Sequence, residues 1–380
     1  MKTKIISVLS IAIMATACMD ELDIARPDPA EDVRYDQHPK NQLYLDALNK
    51  YKQDTYAPGS ILLIDKPQED LWIGAVGKSN LEFQTPARTN TLIRTGSVTK
   101  MFTAVVIMKL VEADKLTLDS KLGNLLPETT GNIPQADQIT VRHLLAHLSG
   151  IVDPPNESLQ YQSDIINNPT RMYNSTIDDL LKKYVYGKSL HFAPGSGYSY
   201  SNTNYWLLGQ MVETITGKSM QKLMEEMIFI PLQMQQTWLE KRDDKNVARG
   251  YVDLYGNGVL MDVASWDRAE GSGRADGGII STANDLRKFM KGLFAGQLVS
   301  IETLRQMKTI QLTNCNSFEC EYGLGLEVWR TAAGTAYGHN GALVGIEVNV
   351  LWYEDNGAIS VIYKNNGNFS DKSWLDQLVK

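Results

Sequence analysis

Cysteine is almost missing from this 380-residue chain, with three in all. A redox or metal centre built on thiols therefore has too few ligands: Cys18 lies at the N-terminus and only Cys315 and Cys320 remain further on. Blocks of lysine and arginine are missing too. The 37 basic residues are outnumbered by 44 acidic ones, the net charge is −7, and no basic stripe offers a nucleic-acid footprint. The apolar run near the N-terminus, Ile5 to Met14, is too short to cross a bilayer. Internal repeats and low-complexity tracts are absent as well. What is present, 43% hydrophobic and 21% charged residues, suits one large globular domain or two smaller ones with ample core.

The first 17 residues read as a signal peptide. Lys2 and Lys4 give a basic start, Ile5 to Met14 an apolar centre, and Ala15-Thr16-Ala17 a small-residue site before Cys18. A cysteine in that place resembles the lipidated residue of bacterial lipoproteins, although Ala15 stands where leucine is commoner. The alternative is ordinary cleavage with Cys18 incidental. Residues 18–42 carry Asp20, Glu21, Asp23, Asp28, Glu31 and Asp32 among prolines and read as an acidic tether. The expected setting is the cell envelope: a membrane reached through a lipid anchor, periplasmic or surface-exposed, or a secreted protein. Outside the cytoplasm Cys315 and Cys320 are candidates for a short-loop disulfide.

The remaining chain, 43–380, reads as α/β (α+β). Strands are expected at Ser60 to Ile64 and Leu71 to Val76, then again at Tyr322 to Val328, Thr335 to Gly338, Val344 to Trp352 and Ile359 to Tyr363. Helical stretches fill about 115–240, and helices are expected at 43–53, Ala283 to Phe294 and Ser370 to Lys380. One sheet must gather strands from both chain ends, with helices on its faces and a mostly helical region beside it. A cleft between the two is the natural place for a site.

The chemistry begins at Ser97-Val98-Thr99-Lys100, which heads the apolar run Met101 to Val111. A helix starting there puts Ser97 and Lys100 on one face. Serine is a poor nucleophile near neutral pH, and a desolvated lysine can activate it. The same tetrad also fits a helix cap with a solvated lysine, which is how Ser219-Met220-Gln221-Lys222 reads. Two further segments bear on the choice: the loop Tyr198-Ser199-Tyr200-Ser201-Asn202-Thr203-Asn204 and the strand end His339-Asn340-Gly341-Ala342. His143 and His147, at i and i+4, have zinc spacing, but Leu144 stands where a His-Glu-x-x-His motif has its glutamate, and they read as structural histidines.

Taken in order, Ser97-Val98-Thr99-Lys100, Tyr200-Ser201-Asn202 and His339-Asn340-Gly341 resemble the three-part pattern of the serine β-lactamase and penicillin-binding-protein superfamily. The resemblance runs from about 45 to about 375, takes in flanks such as Leu144 to Gly150 and Tyr322-Gly323-Leu324-Gly325-Leu326, and is closest to secreted D-alanyl-D-alanine carboxypeptidases. It implies a β-lactamase/transpeptidase-like fold, acyl transfer through Ser97, and no cofactor or metal. Lys100 and Tyr200 share the acid–base work, with the choice of base left open. The resemblance implies an oxyanion site made by the Ser97 and Ala342 N–H groups, Asn202 and Asn340 beside the substrate, Gly341 giving the substrate backbone room, and His339 donating hydrogen bonds near Tyr200. The expected partner is a peptidoglycan stem peptide, or a small amide, ester or β-lactam, handled by a monomer.

One departure stands out. Where the carboxypeptidase branch has a basic residue for the substrate's terminal carboxylate, this chain has Glu327, and Arg330, three positions on, should face the other side of a strand. That leaves β-lactamase, esterase and D-aminopeptidase activity open beside the carboxypeptidase reading. A non-enzymatic penicillin-binding sensor is the remaining alternative.

Overall fold

The run Ile61-Leu62-Leu63-Ile64 has no polar residue to spare for solvent, and the strand that carries it is buried on both faces. A computed structural model describes residues 35–241, 246–312 and 321–380. Cys18, Cys315, Cys320 and the signal segment lie outside them. The strands are β1 (Gly59–Asp65), β2 (Trp72–Asn80), β3 (Thr85–Pro86), β4 (Ile93–Arg94), β5 (Tyr251–Val252), β6 (Met261–Asp262), β7 (Ile280–Ser281), β8 (Glu327–Thr331), β9 (Gly334–Leu343), β10 (Ile346–Tyr353) and β11 (Ile359–Lys364). Seven form one antiparallel sheet in the order β3-β2-β1-β11-β10-β9-β8, so strands from both ends of the chain meet at the β1–β11 pair, with Leu62 opposite Ile362.

Alternation along β1 sends its side chains to two cores. Leu62 and Ile64 join Tyr44, Leu48 and Tyr51 of the helix Asn41–Asp54 and Leu375 of the closing helix Leu375–Val379. Ile61 and Leu63 face the larger core, which contains the helix Ala283–Phe294 and the helix Thr99–Glu112. The latter is apolar almost all round, as befits a helix at the centre of a protein: every residue from Thr99 to Met108 is buried. The expected helical region is there as a series of helices from Leu122–Leu125 to Met220–Met224, the longest being Asn202–Thr216.

Several boundaries differ from expectation: β2 runs on to Asn80, β9 runs on to Leu343 and β10 begins at Ile346. The first helix begins at Asn41, inside the stretch read as tether. The strand expected from Tyr322 starts only at Glu327, because Tyr322 to Leu326 make a tight return, with Gly325 at φ +79° and a bridge from Tyr322 to Glu327. The closing helix is Leu375–Val379 rather than all of Ser370 to Lys380.

Candidate active site

Ser97 sits in a single 3₁₀ turn, Gly96–Val98, that runs into the helix Thr99–Glu112. Such a turn eclipses residues three apart, so Lys100 lies directly over Ser97. Strand β9 presses against this turn. A Cβ on Gly96, whose φ is +50°, would come 2.8 Å from the Ala342 nitrogen. A Cβ on Gly341 would come 2.0 Å from the Thr95 carbonyl oxygen. Gly341 is thus required by the protein's own backbone, a duty the sequence did not suggest. We expect Gly341→Ala to cost about 2–3 kcal/mol or more, since the obstacle is main chain and cannot rotate away. Thermal melting of the variant several degrees below the parent is the check, and an unchanged melting temperature would refute this account of the packing.

Lys100 is fully buried and donates three hydrogen bonds: to Ser97 Oγ at 3.0 Å, to Asn202 Oδ1 at 2.7 Å and to the Asp276 carbonyl at 2.8 Å. Burial pulls its amine down to about 8, against the charges of Asp276, Asp153, Glu327 and Glu270, which pull the other way. Two of the three partners can only accept. In the neutral amine both N–H groups are therefore committed to Asn202 and Asp276, and the lone pair is left facing Ser97.

Tyr200 stands beside this pair, its ring centroid 4.9 Å from Lys100 Nζ. Burial raises its phenol well above 10, and a hydrogen bond with Ser97 only partly offsets this. His147 fixes the segment that carries Tyr200. Its carbonyl accepts from Ser199 N at 3.1 Å, its Nδ1 accepts from Ser201 N at 3.0 Å, and its ring stacks on Tyr200 with centroids 4.2 Å apart. The helix that carries His143 ends at Leu145, and His147 lies beyond it at φ +60°. The two histidines therefore do not share a helical face. His143 closes a capping box with Thr140 instead.

His339 is buried on β9 with its ring centroid 6.3 Å from that of Tyr200, but its ring nitrogens are bonded to other groups. Nε2 accepts from the Tyr322 hydroxyl at 2.9 Å, while Nδ1 faces the Asn340 carbonyl at 2.6 Å and Glu327 Oε1 at 3.3 Å. Burial lowers its pKa below 6.5 despite Glu327, so the ring is neutral near pH 7 and carries its proton on Nδ1. Glu327 also accepts from Asn340 N and from Trp329 Nε1.

Asn202 is oriented by Asp153, which accepts from both its backbone N–H at 3.0 Å and its Nδ2 at 3.1 Å. That contact turns Oδ1 towards Lys100. Ser97, Tyr200, Asn202, Asn340 and Ala342 all border one cavity of about 190 Å³. A neighbouring recess of about 840 Å³, rich in aromatic side chains, includes Tyr198, Tyr322 and Trp329. Arg330 borders that recess together with Glu327, Val328 and Trp329, so the recess takes in both sides of the edge strand β8. Its guanidinium is held by Glu321 at 2.7 Å and Thr335 at 3.0 Å.

The structure thus brings together every residue that the sequence singled out from its three motifs. It adds His147, Asp153, Tyr322, Asp276 and Glu270. Of these, His147 and Tyr322 lay inside quoted motifs. The two aspartates and the glutamate carried no local signal.

A serine, a buried lysine and a tyrosine gathered beside strand β9 of a seven-stranded antiparallel sheet define a β-lactamase/transpeptidase-like serine hydrolase fold. Residues 47–377 match the Beta-lactamase family, and the chain belongs to it. It is similar to Penicillin-binding protein 4* of Bacillus subtilis (strain 168), 26% identical over 311 residues that span 78% of this chain and 65% of that one. Among solved structures it resembles a D-stereospecific amidohydrolase from Streptomyces sp., with a TM-score of 0.74 and 26% identity over 85% of this chain and 95% of that one. It also resembles the D-amino acid amidase from Ochrobactrum anthropi SV3 complexed with L-phenylalanine amide, with a TM-score of 0.73 and 25% identity over 89% and 96%.

Proposed function

We propose that the protein hydrolyses a small amide or peptide bond through an acyl-enzyme on Ser97. The observation that carries this is the Lys100 amine, whose lone pair has no direction left but Ser97. Neutral Lys100 takes the Ser97 proton as Oγ attacks the carbonyl carbon. Negative charge gathers on the carbonyl oxygen, opposite the N–H groups of Ser97 and Ala342. Tyr200, a phenol in the resting site, gives its proton to the leaving nitrogen as the C–N bond breaks, and recovers one by way of the Lys100 ammonium. Water then attacks the ester carbonyl, giving a proton to Lys100, and the acyl C–Oγ bond breaks as that proton passes to Ser97 Oγ. The proton donor and the base are thus separate groups, a choice the motifs left open. Asn202, held by Asp153, has a second Nδ2 hydrogen for the substrate.

Relatives titled amidohydrolase and amidase support the amide reading. Glu327, bonded to the backbone of β9 and facing His339, puts negative charge where a D-alanyl-D-alanine carboxypeptidase needs positive. Of the two cations that border the recess, Arg330 is already paired with Glu321 and Lys372 with Glu347. The reading thus favours substrates without a carboxylate on the leaving side. The same proposal sets the protein in the cell envelope, with residues 1–17 removed and Cys18 as the anchor.

The test is a substrate panel with purified protein: an amino acid p-nitroanilide, a p-nitrophenyl ester, nitrocefin and a D-Ala-D-Ala peptide. We expect the anilide or amide to be turned over, with D-Ala release at least about tenfold less efficient. Nitrocefin alone being cleaved would replace this reading with a β-lactamase. Covalent labelling by penicillin without turnover of any member would replace it with a sensor.

A further inference from the structure

Asn156, Tyr200, Glu327, Asn340 and Phe369 border both of the cavities that meet at the reacting groups. Of these, Phe369 is the one whose side chain is wholly hydrocarbon. It comes from the loop between β11 and the closing helix Leu375–Val379, and it is 78% exposed. A lone exposed phenylalanine on a slack loop would signify little. This loop is held on both sides of the ring. Lys364, fully buried at the end of β11, donates to the carbonyls of Asn366, at 2.7 Å, and of Asn368. Glu347, buried on β10, accepts from the Ser370 hydroxyl at 3.0 Å and pairs with Lys372 and, at 3.2 Å, with Lys364. The Tyr51 hydroxyl lies 2.9 Å from Ser370 Oγ. Both chain neighbours of Phe369 are therefore fixed. Gly367 lies against the turn between β9 and β10, where a Cβ would come 1.8 Å from the Val344 carbonyl oxygen.

Buried ion clusters seldom repay their desolvation in stability, and their best-attested use is to hold one arrangement. Here the arrangement held is an exposed phenyl ring at the mouth of the catalytic cavity, where it gains nothing until another apolar group covers it. We propose that Phe369 is a substrate-contacting residue that selects for an apolar group beside the scissile amide, and that Glu347, Lys364 and Lys372 are the positioning residues that hold it there. The role rests on the Ser97 acyl-transfer reading, which makes the cavity a substrate site. It does not depend on which side of the bond carries the apolar group, because Phe369 borders both cavities. Tyr198, Tyr322 and Trp329 of the larger recess supply further aromatic surface for the same group.

Equilibrium binding to the Ser97→Ala protein, which should not consume the probes, tests this with three neutral amides: N-methylacetamide, N-benzylacetamide and the N-methylamide of phenylacetic acid. By ligand-observed NMR titration, at least one ring-bearing probe should bind about tenfold or more tighter than N-methylacetamide. Phe369→Ala on that background should reduce the preference about fivefold or more, and Phe369→Leu should reduce it less. Lys372→Met should reduce it too, although neutral probes offer that cation no ion to pair with, and adding it to Phe369→Ala should cost nothing further. Ring-bearing probes bound no tighter than N-methylacetamide, or a preference that survives Phe369→Ala, would overturn the proposal. Additive losses from Lys372→Met and Phe369→Ala would overturn the positioning role. Turnover by the parent protein separates Phe369 from Ser97. Amide cleavage without any ring preference removes the role of Phe369 and leaves the acyl-transfer reading standing. A ring preference that Phe369→Ala abolishes, with no cleavage of any amide, does the reverse.

Discussion

Ser97→Ala should lower turnover of whichever amide the parent cleaves by on the order of 10⁴-fold or more, and should abolish covalent labelling by fluorescent penicillin. The size of the effect follows from the neighbourhood. Lys100 has three partners, and Ser97 is the one that can release a proton to it; Asn202 Oδ1 and the Asp276 carbonyl are acceptors only. No neighbouring hydroxyl is bonded to the amine to take over attack. The fold should survive, since Lys100 keeps two of its bonds and the Gly96–Val98 turn holds no side-chain contact that depends on the hydroxyl of Ser97 for its cap. The chain also supplies its own control. Ser219 caps the helix Met220–Met224 by accepting from Lys222 N at 3.3 Å, and Lys222 extends to Glu225 and Glu226 at the surface. Ser219→Ala should leave turnover unchanged and cost about 1 kcal/mol of stability. Comparable rates from Ser97→Ala and the parent would remove Ser97 from the chemistry altogether.

The contrast between those two tetrads shows how far the sequence could be read. Both present serine and lysine at i and i+3, and both begin a helix. What separates them is the sequence after the lysine: Met101 to Val111 is apolar on all sides and must be buried, taking Lys100 with it, whereas Glu225 and Glu226 follow Lys222 and keep it at the surface. Local pattern therefore contained the environment as well as the residue. The seven-stranded sheet was legible for the same reason, because β1, β10 and β11 are short apolar runs too brief to be helices. Contacts made across long stretches of chain were not. Asp153 orients Asn202 from 49 positions away. Asp276 reaches Lys100 through a main-chain oxygen that any residue would supply. Gly341 looked like a device for the substrate, and only the approach of Thr95 reveals its packing duty. The His339 ring lies near Tyr200 as expected, at 6.3 Å between centroids, but its bonds to Tyr322 and Asn340 depend on where the return at Gly325 places Tyr322, which alternation does not encode.

Lys100→Gln should cost about 10³–10⁴-fold in kcat/KM, and the parent's pH profile should identify the reason. With Lys100 as base, the reactive form is the neutral amine. Burial lowers its pKa from 10.5 to about 8, so log kcat/KM should climb by about one per pH unit below 8 and level off above it. Tyr200, held protonated well above 10, adds no falling limb in that range and remains a proton donor throughout. A limb below 6.5 would point to His339 instead, whose pKa burial lowers from that value. Glu270 titrates near the same pH as Lys100, so position alone does not separate the two. Substitution does. Glu327→Gln removes a negative charge that favours the Lys100 ammonium and Glu270→Gln only a partial one, since Glu270 itself titrates near 8; each should move the limb to lower pH, Glu270→Gln by less. If the limb belonged to Glu270, Glu270→Gln would erase it. If it belonged to Lys100, Lys100→Gln would flatten the residual rate while Glu270→Gln only shifts it. Four acidic side chains thus set the pH at which one buried amine can accept a proton, and the direction of each shift is fixed by the sign of the charge removed.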